Sequence, residues 1–570
     1  MKKLLYIFWF LTITLQGSTY YVSTTGDDGD AGTIVAPWAT WGKAFTSTSV
    51  NAGDTVFIRG GVYNITVTNG DGYSVTRAGT SNNWIVYTNY PGETPILDCY
   101  NADPVSTNYN SGIIASTVGG ANYIKFRGLI VRNLRQIYTD HMVFCGAFGC
   151  ENGEFIYENC TAYNIEGKGF DSYFYVVYPS VNGHHYFINC DAYECYNPTN
   201  PTGYLPGNAG VGFNSQNWYG TEGRAYVINC RAWRCGDQGF SWNGEHYCEV
   251  DSCWSFDNGV LQGDGHGFKL GWHDNPYNGT DRLNVVVKKS IAAYNRASGM
   301  TTNDYGEGIS TGMNIYNNTV YHNGYQGEGY DYTYGFYIYN TLDTDGNELL
   351  RIFRNNISYD NEGGEVAVGS GASYTHSNNS WDGGATITDA DFKALPATMS
   401  AGISLLSSSR QADGSLPDLG NYFQLAEGSD AINAGVDVGL AYDGDAPDLG
   451  FAEYAEVGAS TATDILAFTF TEQTGSAIIT PHTVSIEVEW DAVITSLTPT
   501  ITVSGGATIA PLSGVSQDFT SPVTYTVTAE DTVTEQEWTV TVTQEAEPST
   551  GIKLLKHGSK LLKNGTKFLK

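Results

Sequence analysis

The stretch that decides the fold is Gly263-Asp264-Gly265-His266-Gly267-Phe268-Lys269-Leu270-Gly271. Its Gly267-Phe268 pair is one of several pairs of glycine followed by Phe or Met, at intervals of 27 to 43 residues. A fixed short core separated by loops of variable length is typical of a coiled solenoid. The other pairs are Gly169-Phe170, Gly212-Phe213, Gly239-Phe240, Gly299-Met300 and Gly335-Phe336.

A second repeated element lies between these pairs. In each repeat a Cys, Ser or Asn is followed five residues later by a Cys or Asn, as in Cys190 and Cys195 or Asn318 and Asn323. Short β-rich runs such as Val285-Val286-Val287 lie beside these columns. Stacked Asn side chains satisfy one another and the backbone of tight turns. The two elements together predict an all-β parallel β-helix.

Side-chain alternation predicts where Lys269 points. If the Phe or Met of each pair faces the interior, the glycine and the residue two after it face outward. We then expect a polar outer face with a bare glycine floor, which suits a sugar chain, although an ordinary solvated sheet face is the simpler alternative. The two outward columns contain Asp171, Asn214, Ser241, Lys269, Thr301 and Tyr337, and Tyr173, Gln216, Asn243, Gly271, Asn303 and Tyr339.

The chain of 570 residues is long enough for more than one domain. Residues 1–18, with two lysines before an apolar run, predict a cleavable signal peptide and therefore a secreted or cell-surface protein. Residues 19–456 predict the β-helix, with a capping helix between Pro37 and Phe45. Residues 460–545, rich in alternating Thr, Val and Ile, predict a β-sandwich, and residues 551–570 form a basic tail. No later segment has the length and apolarity of a membrane span.

The formal charge of −32 makes nucleic acid an unsuitable partner. The same charge would repel polyanions unless a bound cation or a local basic cluster reversed the field. The ten cysteines lie between Cys99 and Cys253, and several share columns of the repeat. Interior ladders of thiols and disulfides between adjacent rungs are both compatible with this spacing, and Cys145 and Cys150 are a further candidate pair. The spacing does not resemble a zinc cluster.

The glycine-rich strand around Lys269 resembles the active-site strand of polysaccharide lyase family 9, a family of right-handed parallel β-helices similar to pectate lyases. The surrounding Asp237-Gln238-Gly239-Phe240-Ser241 segment fits as well. The C-terminal sandwich resembles immunoglobulin-like modules of secreted glycan-active proteins. The resemblance implies β-elimination on a uronic-acid-containing polysaccharide, with Lys269 as the base that removes the C5 proton. Such a lysine must be neutral, so we expect its pKa to be lowered by burial or by nearby positive charge.

The resemblance also implies a calcium site of four aspartates, of which only Asp237 is matched. The other three positions hold Val211, Gln238 and Ser241. One carboxylate is a poor calcium site, because calcium takes six to eight oxygens. We therefore expect calcium to bind weakly or to be held differently, with Asp264 or Glu245 recruited as a ligand. The alternatives are that arginines such as Arg234 and Arg296 neutralise the charge instead, or that activity has been lost.

We expect six residues to bind the acidic polysaccharide: Asn214, Asn243, His266, Arg234, Arg296 and Asn303. Two other functions stay open. A β-helical glycoside hydrolase would need paired carboxylates on the groove. A non-catalytic glycan-binding or adhesive β-helix would account for the missing aspartates.

Overall fold

The computed structural model describes residues 17–65, 72–101, 111–135, 146–174, 183–198, 207–217, 223–244, 247–271, 285–302, 312–325, 332–339, 351–454, 461–529 and 532–546, apart from residues 118, 208, 371 and 373. Most of the predicted signal peptide, the whole basic tail and Cys145 lie outside these ranges. The contacts divide the chain into two compact units, Met1–Tyr454 and Ala455–Lys570.

The first unit is a parallel β-helix, as predicted, in which each complete coil contributes one strand to each of three sheets. Its strands are β1 (Thr19–Val22), β2 (Thr55–Ile58), β3 (Gly61–Asn64), β4 (Tyr73–Val75), β5 (Ile85–Asn89), β6 (Pro95–Asp98), β7 (Ser111–Ser116), β8 (Ile124–Arg127), β9 (Ile130–Arg132), β10 (Gly146–Glu151), β11 (Phe155–Glu158), β12 (Thr161–Ile165), β13 (Lys168–Phe174), β14 (His184–Ile188), β15 (Asp191–Cys195), β16 (Val211–Asn217), β17 (Arg224–Ile228), β18 (Arg231–Trp233), β19 (Gln238–Gly244), β20 (Tyr247–Asp251), β21 (Trp254–Phe256), β22 (His266–Leu270), β23 (Val285–Lys288), β24 (Ile291–Ala293), β25 (Met300–Thr301), β26 (Met313–Tyr316), β27 (Thr319–Tyr321), β28 (Phe336–Ile338), β29 (Arg351–Arg354), β30 (Ile357–Tyr359), β31 (Val366–Val368) and β32 (Thr375–Ser377).

The three sheets are named here by their order within one coil. Sheet 1 has 12 strands and runs from β1 through β11, β14 and β17 to β32. Sheet 2 has 10 strands from β3 to β30, and sheet 3 has 10 strands from β4 through β19, β22 and β25 to β31. Every pairing within these sheets is parallel, so each coil repeats the register of the coil before it.

The Gly-Phe pairs lie in register on successive strands of sheet 3, as predicted. Phe170, Phe213, Phe240 and Phe268 pair in turn, and all four side chains are buried. Their rings stack at centroid distances of 4.7, 5.0 and 4.8 Å. This aromatic column continues through Met300 and Phe336 and forms the interior side of sheet 3.

The Cys and Asn columns form two hydrogen-bonded ladders at the corners that flank sheet 2. At each corner the backbone N–H of one ladder residue donates to the side chain of the equivalent residue in the next coil. In the first ladder these donor and acceptor pairs are Cys190 and Cys230 Sγ (3.3 Å), Cys230 and Cys253 Sγ (3.4 Å), Cys253 and Ser290 Oγ (3.0 Å), Ser290 and Asn318 Oδ1 (3.0 Å), and Asn318 and Asn356 Oδ1 (3.1 Å). In the second they are Cys235 and Asn258 Oδ1 (3.0 Å), Asn258 and Asn295 Oδ1 (3.3 Å), and Asn295 and Asn323 Oδ1 (3.1 Å).

The cysteines take the same place in these ladders as the asparagines. The nine cysteines among the described residues are buried free thiols. A thiol sulfur is a weak acceptor, and here it receives the backbone N–H that an amide oxygen receives further along the chain. Of the two alternatives left by the sequence, the structure shows the ladder of thiols for these nine residues.

The glycines of the Gly-Phe pairs face the interior, and the prediction that they floor the outer groove is wrong. A Cβ built on Gly239 would lie 2.0 Å from Ser255 Oγ, and one on Gly267 would lie 2.8 Å from Asn295 Nδ2. These glycines therefore allow sheet 3 to approach the ladder residues of sheet 2 closely. Because Gly and Phe both point inward, the alternation is shifted by one residue at this position.

Two helices pack against this β-helix. Helix α1 (Trp41–Thr46) is capped by Thr40, whose Oγ1 accepts from Lys43 N at 3.1 Å, and the helix buries Phe45 in the core. Helix α2 (Met399–Leu406) packs on the outer side of sheet 2. No helix of the described ranges is long and apolar enough to cross a membrane.

The second unit contains two further sheets, in agreement with the predicted β-sandwich. Its strands are β33 (Ile465–Thr469), β34 (Ile478–Thr480), β35 (Thr483–Val488), β36 (Thr500–Val503), β37 (Thr508–Ala510), β38 (Val523–Thr528) and β39 (Glu535–Gln544). Strands β33 and β36 form one sheet, and the other has the order β34-β35-β39-β38-β37. Phe468, Tyr525 and Trp538 lie in its buried core.

Candidate active site

Lys269 lies on the outer face of sheet 3, in the position that alternation predicted. Its strand β22 pairs with β19 and β25, so Lys269 lies between Ser241 and Thr301. The neighbouring Phe268 is fully buried, whereas the Lys269 side chain is 17% exposed. The predicted outward column is therefore continuous, and in order it contains Asp171, Asn214, Ser241, Lys269, Thr301 and Tyr337.

A second outward column, which the alternation missed, precedes the glycines. Lys168 donates to both oxygens of Asp171 at 3.1 and 3.2 Å, which places its side chain on the outer face. Gln238 precedes its glycine in the same way. With its amide assigned in the orientation that satisfies its hydrogen bonds, the amide oxygen of Gln238 accepts from Ser241 Oγ at 3.0 Å. His266 pairs with Gln238 in the next coil. The shift of alternation at the glycine thus adds Lys168, Gln238 and His266 to the outer face.

Asp264 is the ion-pair partner of Lys269, with Oδ2 2.9 Å from Nζ. Burial lowers the pKa of Lys269, but the negative charges of Asp237 and Asp264 outweigh burial, and the net pKa is raised above its ordinary value. The expectation of a lowered pKa is therefore wrong for the protein without substrate. At neutral pH the lysine is protonated, and it must lose this proton before it can act as a base.

A glycine loop holds Asp264 in place. Gly263 and Gly265, which flank it, have positive φ angles of 100° and 77°, a region that favours glycine. A Cβ on Gly263 would lie 2.3 Å from the carbonyl oxygen of Gly236. Gly265 N donates to the backbone oxygen of Asp237 at 2.6 Å. The loop is therefore packed directly against the preceding coil, and it sets the position of the carboxylate beside Lys269.

Asp237 is a buried carboxyl beside this ion pair. Burial raises its pKa to about 6, with Lys269 opposing this effect and Asp264 adding to it. Its Oδ2 accepts from Ala209 N at 3.2 Å. The amide nitrogen of Gln238 donates to both carboxylate oxygens, at 2.9 and 2.7 Å. A neutral donor therefore lies against the two oxygens that a cation would bind.

His266, three residues before Lys269, is buried within the electrostatic range of the lysine. Burial and the positive charge of Lys269 lower its pKa to about 4, although Asp264 has the opposite effect. The imidazole is consequently neutral at physiological pH. Its contribution at the site is a neutral polar ring next to the lysine rather than a positive charge.

The four positions that would supply calcium ligands do not fit a calcium site. Among Val211, Asp237, Gln238 and Ser241 there is one carboxylate, and the Gln238 amide nitrogen occupies its oxygens. Calcium is bound by six to eight oxygens, usually with several carboxylates. No group of three or more His, Cys, Asp or Glu that could hold a metal occurs within the described ranges.

The other residues predicted to bind substrate lie at varying distances from Lys269. Arg296 supports the Asp264 loop, because its Nη1 donates to Gly263 O at 3.3 Å. Arg234 lies at the corner between sheets 2 and 3, where it pairs with Glu194 (3.5 Å) and Asp257 (3.7 Å).

Two coils before Lys269, Asn214 is buried and donates to Asp171 Oδ1 at 2.6 Å. Of Asn243 only the backbone, in β19, is described, and Asn303 lies outside the described residues. The structure thus brings together Lys269, His266 and Asp237 from the prediction. It places Asp264 against Lys269 and Gln238 against Asp237, two contacts that the sequence did not predict.

Comparison with known proteins agrees with the β-helix fold. Residues 20–361 match the family described as Pel9A-like, right handed beta helix region. The chain belongs to this Pel9A-like family. Residues 465–542, within the second unit, match a different family, described as SGBP, N-terminal.

Several relatives of this Pel9A-like chain are pectate lyases by name. It is 27% identical over 450 residues to Pectate lyase L of Dickeya dadantii (strain 3937), covering 76% of this chain and 90% of the relative. It is 24% identical over 469 residues to Pectate lyase PEL9 of Emericella nidulans, covering 77% of this chain and 99% of the relative. The crystal structure of pectate lyase Pel9A has the same fold, with a TM-score of 0.56, 23% identity, and coverage of 77% of this chain and 97% of that one.

A solved rhamnogalacturonan lyase also shares the fold. Its TM-score is likewise 0.56, at 22% identity, with coverage of 72% of this chain and 97% of that one. Proteins named for two different pectic polymers therefore have this β-helix.

Proposed function

We propose that the protein is a secreted polysaccharide lyase that cleaves a uronic-acid-containing, pectate-like polysaccharide by β-elimination, with Lys269 as the base. Membership of the Pel9A-like family and the pectate lyase relatives support a polysaccharide lyase. The observation that carries the assignment of the base is the position of Lys269, which is partly exposed on the outer face of sheet 3.

The proposed reaction needs one proton acceptor at C5 of the uronic acid. Neutral Lys269 Nζ takes the C5 proton, and the electrons of the C–H bond form the double bond between C4 and C5. The bond from C4 to the glycosidic oxygen breaks, and the departing oxygen takes a proton from water. Lysine is suited to this role because its amine is compact and loses its proton more readily than a guanidinium.

Asp264 and Asp237 set the protonation of this lysine. Both carboxylates favour the charged amine and thereby raise the pKa of Lys269. We propose that the enzyme therefore works best at alkaline pH, where the neutral amine is populated. The substrate carboxylate would first meet the charged lysine, which favours binding in an otherwise acidic chain.

We propose that calcium at the four matched positions is not required. The argument is the single carboxylate of Asp237 and the contact that Gln238 makes with both of its oxygens. No step of the proposed reaction passes through a metal ion. Export is part of the proposal as well, and the residues before Thr19 would be removed from the secreted protein.

One screen tests the proposed function. Purified protein is incubated with polygalacturonate, rhamnogalacturonan, alginate and a neutral polysaccharide, and unsaturated products are followed by their ultraviolet absorbance, with Lys269→Ala as the matched control. We expect unsaturated products from at least one pectic polymer and none from the neutral one. New reducing ends without unsaturation would indicate a hydrolase, and binding without turnover would indicate a glycan-binding protein, and either result would overturn the proposal.

A further inference from the structure

A cluster of tyrosines lies at the C-terminal end of the outward column that contains Lys269. Its members are Tyr332, Tyr334, Tyr337 and Tyr339, all of them half-buried. Tyr337 lies in β28, opposite Thr301, which itself pairs with Lys269. Two strand spacings separate Lys269 from Tyr337, a distance of about 10 Å between their backbones.

The backbone of this tyrosine cluster is fixed to the coil beside Lys269. Thr302 N donates to Tyr337 O at 3.1 Å, and Tyr339 N donates to Thr302 Oγ1 at 2.9 Å. Ser298 Oγ donates to Tyr332 O at 2.9 Å. The backbone that carries these rings is therefore fixed by hydrogen bonds to the coil that follows the strand of the proposed base, which favours a preorganised binding surface.

Two ring pairs in the tyrosine cluster meet edge to face, and two others are tilted, at 41° and 34°. Tyr337 and Tyr339 have ring centroids 4.4 Å apart with an interplanar angle of 72°, and Tyr332 and Tyr337 are 4.8 Å apart at 75°. By contrast, Tyr186 and Tyr226 on sheet 1 lie parallel, 4.8 Å apart at 7°, and so cover each other's faces. In an edge-to-face pair the ring that contributes its edge keeps both of its faces uncovered by that partner, which a ligand could then cover.

The tyrosine cluster also lies within electrostatic range of Asp264. Burial raises the pKa of Tyr339, and the neighbouring tyrosines and the charge of Asp264 add to this effect. Burial also raises the pKa of Tyr337, so the phenol groups of Tyr337 and Tyr339 stay protonated at working pH and can donate hydrogen bonds. An apolar ring face beside phenol donors suits a pyranose ring, which has an apolar C–H face and polar substituents at its edge.

We propose that Tyr332, Tyr337 and Tyr339 form a sugar-binding subsite that holds a uronic acid unit of the substrate chain on the C-terminal side of Lys269. This inference rests on the proposed function, because it places the substrate along the same column. A chain lying across the strands of sheet 3 reaches the tyrosine cluster two coils beyond Lys269. Stacking and phenol hydrogen bonds would bind the sugar ring there, at a distance from the bond that breaks.

The test compares Tyr337→Leu, Tyr339→Leu and Tyr337→Phe with Tyr226→Leu, a tyrosine on the outer face of a different sheet. Leucine keeps apolar bulk but removes the aromatic face, and phenylalanine keeps the ring and removes only the hydroxyl. The kinetics are measured on whichever pectic polymer the parent cleaves, and on its oligomers from the shortest that is cleaved upward. Binding is measured separately by affinity electrophoresis in polygalacturonate and in rhamnogalacturonan, with each tyrosine change added to Lys269→Ala.

We expect both leucine variants at Tyr337 and Tyr339 to raise KM on the polymer and weaken binding by about tenfold, with kcat changed less than twofold. Tyr337→Phe should keep most of the affinity, Tyr226→Leu should match the parent, and the shortest oligomers should be cleaved equally by all variants. Unchanged KM and binding in both leucine variants would overturn the subsite. A rise in KM that is equally large on oligomers too short to span the two coils would overturn it as well. Either result would leave the lyase assignment intact. If the parent neither cleaves nor binds any pectic polymer, the proposed function itself fails, and the subsite with it.

Discussion

Two lysines on the outer face of sheet 3 each form an ion pair with an aspartate, yet their surroundings differ. Lys168 contacts both oxygens of Asp171 at 3.1 and 3.2 Å, and the two side chains are 3% and 14% exposed. Lys269 contacts Asp264 at 2.9 Å, and these side chains are 17% and 33% exposed. The first pair is sealed into the sheet surface, whereas the second can meet a large ligand. The comparison teaches that burial, and not the ion pair itself, separates the proposed base from a structural lysine.

The largest expected effect is the loss of turnover in Lys269→Ala. Removing a general base typically lowers kcat by about 10²–10⁴-fold. Because the pair with Asp264 is partly exposed, the change should lower the free energy of unfolding by no more than about 1 kcal/mol. Lys269→Arg should be nearly as inactive, since guanidinium stays protonated. Initial rates of unsaturated product formation measure the turnover, and urea unfolding measures the stability. A wild-type rate in either variant would show that Lys269 is not the base.

The second effect belongs to Lys168→Ala, which should damage stability rather than chemistry. Breaking a buried ion pair leaves Asp171 without its cation and should lower the free energy of unfolding by about 3 kcal/mol. Lys168→Met keeps the bulk of the side chain, so it should lower the free energy of unfolding by less than Lys168→Ala does. Activity per folded molecule should stay within a few-fold of the parent. A loss of turnover as large as that of Lys269→Ala, with unchanged unfolding, would remove the distinction between the two lysines.

The third effect is a shift of the pH profile in Asp264→Asn. Asp264 favours the charged form of Lys269, so removing its charge should lower the pKa of the lysine. The neutral amine then exists at lower pH, and the rising limb of kcat/KM against pH should move in the acidic direction. Asp171→Asn, next to Lys168, is the matched control and should leave this limb unchanged. A shift to higher pH would show that Asp264 does not control the proton on Lys269.

The smallest expected effect is that of removing calcium. Because Asp237 is the single carboxylate among the four matched positions, a chelator should change the initial rate by less than about twofold. In the Asp237→Ala variant, a chelator should likewise leave the initial rate nearly unchanged. Activity that is lost on chelation, restored by calcium and absent from Asp237→Ala would show a calcium site at this place after all.

The interior of the β-helix could be predicted from the sequence because its periodic positions repeat one residue type. The column from Phe170 to Phe336 and the five-residue spacing of the corner ladders give the register without any knowledge of the loops. Thiols and amides could be placed in one ladder because both accept the same backbone N–H. The choice between thiol and disulfide needed coordinates, since the spacing of adjacent rungs permits either.

The outer face was harder to predict than the core. Strict alternation placed Lys269 correctly but turned the glycines outward, because it assumed that the alternation continues regularly through the glycine. The same assumption hid the outward orientation of Lys168, and Gln238 was reached only through the family resemblance. Asp264 lies on a loop between two glycines of positive φ, and no periodic pattern predicts a contact made by such a loop.

The most direct test of the central claim is chemical rescue of Lys269→Ala by small primary amines. The account predicts that unsaturated products return in proportion to the concentration of the unprotonated amine, that the rescued rate no longer follows the pH profile of the parent, and that Lys168→Ala gains nothing from the amine. Formation of unsaturated products by Lys269→Ala at the rate of the parent, with no amine added, would contradict the account.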